Sequence, residues 1–261
     1  MRNIENKTNW RLDGARAPDI LIVGHSHILA LLSGFSELSQ DQGSRIACLW
    51  SEDRTTWPQC SDEYWEIAAD HPAQSIALVW NGNQHNAHFL LEQDPPLRIA
   101  GVKSLGQSKC EHRNAVVVSA ATFEELWKAE FTEMKRVTSV LSQTKRCFIV
   151  GTPPPKDQFE IENLLHSDAF FIQKAAESGV TTEALHVSSN EFRLALYEQI
   201  QDGMREVAIE LGVEFVNVPK RCIADSGLLA AGFGAPDATH SNGQYGAEVL
   251  RALLLEWEKD K

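Results

Sequence analysis

The sequence predicts an α/β domain of the doubly wound kind, built on a parallel sheet. Three observations predict it. Short, wholly apolar runs recur along the 261 residues, as strands covered on both faces require. Stretches with apolar residues at helical spacing lie between them. The two patterns alternate five times, with no internal repeat, low-complexity tract or linker to divide them.

The elements follow in order. Residues 1–18 are polar and read as an N-terminal arm, and residues 19–261 read as a single domain. Ile20, Leu21, Ile22 and Val23 form the first run, closed by Gly24. Residues 25–38 carry Ile28, Leu31, Leu32 and Phe35 at helical spacing. A second strand is expected over 45–50, a short helix over 62–70 and a third strand over 75–80. Residues 84–119 read as a loop insertion, with a small hairpin that includes Val116, Val117 and Val118. Thr122 and Glu125 have the spacing of a capping box for a helix reaching about residue 142. A fourth strand over 147–150 ends at Gly151 and Pro153, Pro154 and Pro155. Residues 153–187 read as a second insertion with short helices. Ser188 and Glu191 suggest a cap for the helical stripe Phe192, Leu196, Ile200, Met204, Val207 and Leu211. A fifth strand over 213–218 and a last helix capped by Ser241 or Asn242 complete the series.

Composition sets bounds on function. Hydrophobic residues make up 43% and charged residues 23%, enough apolar material for one sizeable core. The net charge of -12 disfavours a nucleic-acid partner, since an acidic surface repels phosphates. Cys48, Cys60, Cys110, Cys147 and Cys222 are scattered, with no CxxC pair, and read as reduced thiols. No leader-like apolar segment and no run of membrane-spanning length is seen, so a cytoplasmic protein without a membrane span is the expectation. The oligomeric state is not readable.

In open α/β sheets, ligands bind beyond the carboxyl ends of the strands. Chemistry-bearing residues should therefore stand directly after each run. After the first come Gly24, His25, Ser26 and His27. A serine between strand and helix places its hydroxyl at the sheet edge near backbone N–H groups, where developing negative charge is favoured. The plainer alternative is a helix cap. After the third run come Asn81, Gly82 and Asn83, whose amides can donate to an oxyanion, a contact worth about 3 kcal/mol. Before the last helix, Asp237 stands three residues ahead of His240. That spacing lets a carboxylate reach Nδ1 and leaves Nε2 free to take a serine proton.

Together these residues resemble the SGNH (GDSL-like) hydrolase superfamily over about residues 19–257. The stretch Gly24-His25-Ser26 is similar to its first block, Gly82-Asn83 to its third, and Asp237-Ala238-Thr239-His240 to its last. The resemblance implies a flavodoxin-like, three-layer α/β/α fold whose five-stranded parallel sheet has the order 2-1-3-4-5. It implies a serine esterase or deacylase with Ser26 as nucleophile, His240 as base and Asp237 as orienting acid. The oxyanion hole is then formed by the Ser26 N–H and Asn83. The substrate is a small-molecule ester, such as an acyl group on a carbohydrate, and no metal or other cofactor is needed. Two departures stand out. His25 replaces the first-block aspartate, and no glycine lies between Arg45 and Trp80 to match the second block.

His25, His27, Trp80, His85 and His88 are candidate substrate-lining residues. A metal site drawing on His25, His27, His85, His88 and His240 is a rival reading, weakened by the lack of an H-E-x-x-H pair or nearby carboxylates. An acyltransferase on the same scaffold and a non-catalytic small-molecule-binding protein are two more.

Overall fold

The computed structural model describes residues 17–50, 60–80, 84–100 and 115–259. Strand β1 (Ile20–Gly24) turns into helix α1 (Ile28–Gly34), and α2 (Gln40–Ser44), β2 (Ile46–Cys48), α3 (Asp62–Asp70) and β3 (Ser75–Val79) follow. Next come α4 (Gln84–Phe89), β4 (Leu97–Ile99), β5 (Val116–Val118), α5 (Ala120–Leu141) and β6 (Arg146–Val150). The chain ends with α6 (Gln158–Glu162), α7 (Ala169–Ser178), α8 (Asn190–Leu211), β7 (Glu214–Val216) and α9 (Gly243–Glu258).

Five strands form one sheet in the order β2-β1-β3-β6-β7, and each neighbouring pair is parallel. Counted within that sheet the order is 2-1-3-4-5, as the resemblance implies. Side chains alternate across it, as the pleat requires. Leu21, Val23, Ile76, Leu78, Cys147 and Ile149 meet α3, α5 and α8 through Trp65, Trp127, Met134, Leu196 and Ile200. Ile20, Ile22, Ala77, Val79, Phe148 and Val150 meet α1 and α9 through Ile28, Leu31, Leu250, Leu253 and Trp257. Helices thus cover both faces, giving three layers. This explains why the strands read as unbroken apolar runs.

A third, smaller core of Leu90, Ile161, Leu165, Phe171, Val187 and Ala238 joins the two excursions to the segment before α9. An antiparallel bridge between Leu91 and Val187 and a 2.8 Å bond from Glu92 N–H to His186 carbonyl tie the excursions together.

Several expectations need correction. Val116, Val117 and Val118 do not form a hairpin. They pair in parallel with Leu97, Arg98 and Ile99, and a parallel pair needs a crossover rather than a tight turn. The long α5 is capped by Ser119, whose hydroxyl accepts from the Thr122 N–H at 3.2 Å, so Thr122 supplies an orphan donor rather than the cap. Ser189, not Ser188, caps α8. The Ser188 N–H is committed to the Leu90 carbonyl at 2.9 Å, which keeps that residue in the bridging segment. Asn242 caps α9, accepting from Gln244 and Tyr245.

Candidate active site

The chain leaves β1 for β2 on one side and then returns to place β3 on the other. The switch point therefore lies between the ends of β1 and β3, where a crevice is expected. Gly24 makes this end of β1 possible. Its φ of 130° is open to glycine, and a Cβ there would sit 2.1 Å from the Val79 carbonyl oxygen. The turn at residues 25–27 leads into α1, with His27 at the cap position and no side-chain capping bond. Ser26 therefore does not cap this helix, and it is partly exposed. The Gly24 N–H donates to Tyr64 Oη at 2.8 Å, and Tyr64 donates to the Leu49 carbonyl at 3.0 Å, which anchors the turn to α3.

Asp237 and His240 sit on a small hairpin. Gly234 bridges Ser241, the Ala235 N–H donates to the His240 carbonyl at 2.9 Å, and the Asn242 N–H donates to Phe233 at 2.9 Å. Asp237 Oδ1 accepts from the N–H groups of Thr239 at 2.8 Å and His240 at 2.7 Å. Asp237 Oδ2 lies 3.2 Å from His240 Nδ1. Partial burial pushes the Asp237 carboxyl up, but the bonds from His240 and the two N–H groups outweigh it and hold it well below the usual range. An ionised carboxylate only accepts, so Nδ1 is the donor and Nε2 carries the free lone pair.

His27 connects the two loops. Its ring centroid is 5.9 Å from that of His240. It is 3% exposed, and among the described residues neither ring nitrogen has a hydrogen-bond partner. Burial, followed by the neighbouring His240 ring, pushes its pKa down to about 3. His27 is thus a neutral imidazole beside the His240 ring.

The other sequence candidates fall in different places. His25 and Trp80 are buried, with rings edge to face at 4.7 Å, and Trp65 stacks on Trp80 at 6.1 Å. This gives them a packing role, with His25 filling an aromatic niche at the sheet edge. His88 is on the exposed side of α4, 6.2 Å from Phe89. His85 falls within α4, and its side chain lies outside what the structure describes. Asn83, with Asn81 and Gly82, also lies outside the described residues. Among the described residues, no group of three His, Cys, Asp or Glu side chains comes together to hold a metal ion. No helix among them is long and apolar enough to cross a membrane.

Two residues beside the hairpin escaped the sequence reading. Lys156 donates from Nζ to the carbonyls of Ala235 and Asp237, and Asp168 Oδ2 accepts from the Ala238 N–H at 2.9 Å. The one signal for Lys156 is its place just after β6 and the proline run, on the edge where functional residues gather.

No protein-family model and no curated protein matches the chain. Among solved structures it is similar to the periplasmic domain of a lipopolysaccharide acetyltransferase from Salmonella ser. Paratyphi A, at 14% identity over 93% of this chain and 85% of that one, with a TM-score of 0.49. It is also similar to a carbohydrate acetylesterase from Sinorhizobium meliloti, at 10% identity over 94% of this chain and 100% of that one, with a TM-score of 0.47. A third is the M. smegmatis aryl esterase, at 12% identity over 93% of this chain and 99% of that one, with a TM-score of 0.47.

Proposed function

We propose that this chain is a serine hydrolase of the SGNH type that cleaves a carboxylic ester through Ser26, His240 and Asp237. The observation that carries the reading is the 3.2 Å contact between His240 Nδ1 and an ionised Asp237, on a hairpin whose histidine ring lies 5.9 Å from that of His27, the residue after Ser26. An imidazole oriented by a carboxylate at the edge of a serine-bearing turn is the arrangement that acyl transfer requires.

In this reading His240 Nε2 takes the Ser26 hydroxyl proton as Oγ attacks the ester carbonyl carbon. The Ser26 N–H and the Asn83 amide are the proposed donors to the oxyanion. The tetrahedral adduct collapses, and His240 returns the proton to the departing alcohol oxygen. Water then attacks the acyl-enzyme with His240 as base, the acid leaves, and Ser26 regains its proton. The substrate class this reading takes is an acyl group on a carbohydrate or other small alcohol.

The test is labelling with a fluorophosphonate probe alongside turnover of short p-nitrophenyl esters and acetylated sugars. Wild type is expected to label and turn over. Ser26→Ala is expected to lose labelling and about 10⁴-fold or more in kcat. A folded wild type that neither labels nor turns over overturns the hydrolase and leaves a binding protein on the same scaffold.

A further inference from the structure

The hairpin that carries Asp237 and His240 is held from outside by a cation in an unusual place. Lys156 leaves β6 on a buried segment, and its side chain is 5% exposed. A buried ammonium persists only where its donors are satisfied. Here Nζ donates to the Ala235 carbonyl at 2.6 Å and to the Asp237 carbonyl at 2.5 Å. The same nitrogen is 3.8 Å from Asp237 Oδ1. Both accepting carbonyls belong to the arm of the hairpin opposite His240.

Lys156 is itself anchored. Its carbonyl accepts from Nη1 of the fully buried Arg193 at 2.9 Å. Arg193 also donates to the Ser188 carbonyl at 3.0 Å and to Asn190 Oδ1 at 2.7 Å. A continuous chain of bonds therefore runs from α8, through the Lys156 main chain and side chain, to Asp237. Asp168 holds the tip through the Ala238 N–H at 2.9 Å. Ala238 is also buried in the third core.

We infer that Lys156 is a positioning residue, whose ammonium fixes the Asp237 side of the hairpin so that the carboxylate meets His240 Nδ1. The hairpin's own bonds close its base and its Asp237 turn. Among the described residues, hydrogen bonds from Lys156 and to Asp168 join that turn to the scaffold, beside the packing of Ala238. An ammonium is suited to this because it satisfies two carbonyls and the nearby carboxylate from one atom. The inference rests on the proposed triad, but the first of its two readings does not depend on ester turnover.

The test uses the full chain and two readings. The first is the low-field proton resonance of His240 Nδ1–H, assigned by its loss in His240→Ala. The second is kcat and KM on a p-nitrophenyl ester. In Lys156→Met the resonance is expected to vanish, and kcat is expected to fall about 10- to 100-fold with KM little changed, as misplacement of a reacting group predicts. Lys156→Arg, which retains charge and donors, is expected to keep the resonance and recover part of kcat. Should the Met variant fail to fold, Lys156→Gln serves with the same expected losses. A folded Lys156→Met or Lys156→Gln with the resonance and kcat of wild type overturns the inference, as does a wild type without the resonance. If wild type lacks esterase activity yet loses the resonance in Lys156→Met, the positioning role stands and the hydrolase reading falls.

Discussion

The neutral His27 next to His240 has a consequence for stability. Its pKa moves from 6.5 to about 3 through burial, with His240 and His25 adding in the same direction and Asp237 opposing. Between these two values the unfolded chain binds a proton that the folded chain does not. Stability therefore falls as pH drops from 6.5 towards 3. His71, lowered to about 4 by burial and Lys145, acts with the same sign. Unfolding free energies from urea titrations between about pH 7 and about pH 4.5 should fall less steeply in His27→Leu than in wild type, by up to about 1.4 kcal/mol per pH unit. Parallel slopes in the two proteins would contradict a neutral, buried His27. At this scale the sequence offers candidates where chemistry-bearing residues stand just after a strand or just before a helix. Ser26 and the Asp237/His240 spacing could be singled out because placement and residue type agreed. Lys156 and Asp168 could not. A lysine in a loop has no pattern until the fold brings it to carbonyls about 80 residues away.

At the scale of elements, the crossing of α1 and α9 brings backbone against backbone more closely than any other glycine contact among the described residues. A Cβ on Gly246 would lie 1.9 Å from the Ala30 carbonyl oxygen, and one on Gly34 would lie 2.4 Å from the Ala247 nitrogen. Backbone meets backbone here, so no side chain can move aside. Gly246→Ala is expected to cost about 1–3 kcal/mol by overpacking, read as a lower denaturation midpoint. An unchanged midpoint would mean that the two helices are not in such close contact. The long helices were legible because their apolar residues repeat every three to four positions over many turns. Their caps were less so, because Ser188 and Ser189 are equivalent until one N–H is committed to Leu90. The pairing of β4 with β5 was misread for a different reason. Val117 is 65% exposed, so the segment lacks the buried alternation that reports pairing direction.

For the whole molecule, the doubly wound arrangement follows from local facts added together, whereas the strand order comes from the family resemblance. Five apolar runs demand cover on both faces, and the helical stripes supply it from α3, α5 and α8 on one side and α1 and α9 on the other. What remained illegible was the third core, formed by short, irregular pieces whose apolar residues have no common period. That core includes Ala238, so the excursions contribute to the placement of the candidate base as well as to the surface around it.

The α1–α9 contact also bears on time. Ser26 precedes His240 in the chain, so a ribosome delivers the serine well before the histidine. In the proposed triad, a nascent chain that has not yet reached His240 holds the hydroxyl without its imidazole. With that triad, the closing of the last helix acts as a safety catch, and a chain stalled before it is expected to be inert. Ribosome-bound chains that stop short of Asp237 are expected to resist fluorophosphonate, whereas released full-length chains label. Labelling of the stalled chains would show that Ser26 is reactive without its distant partner.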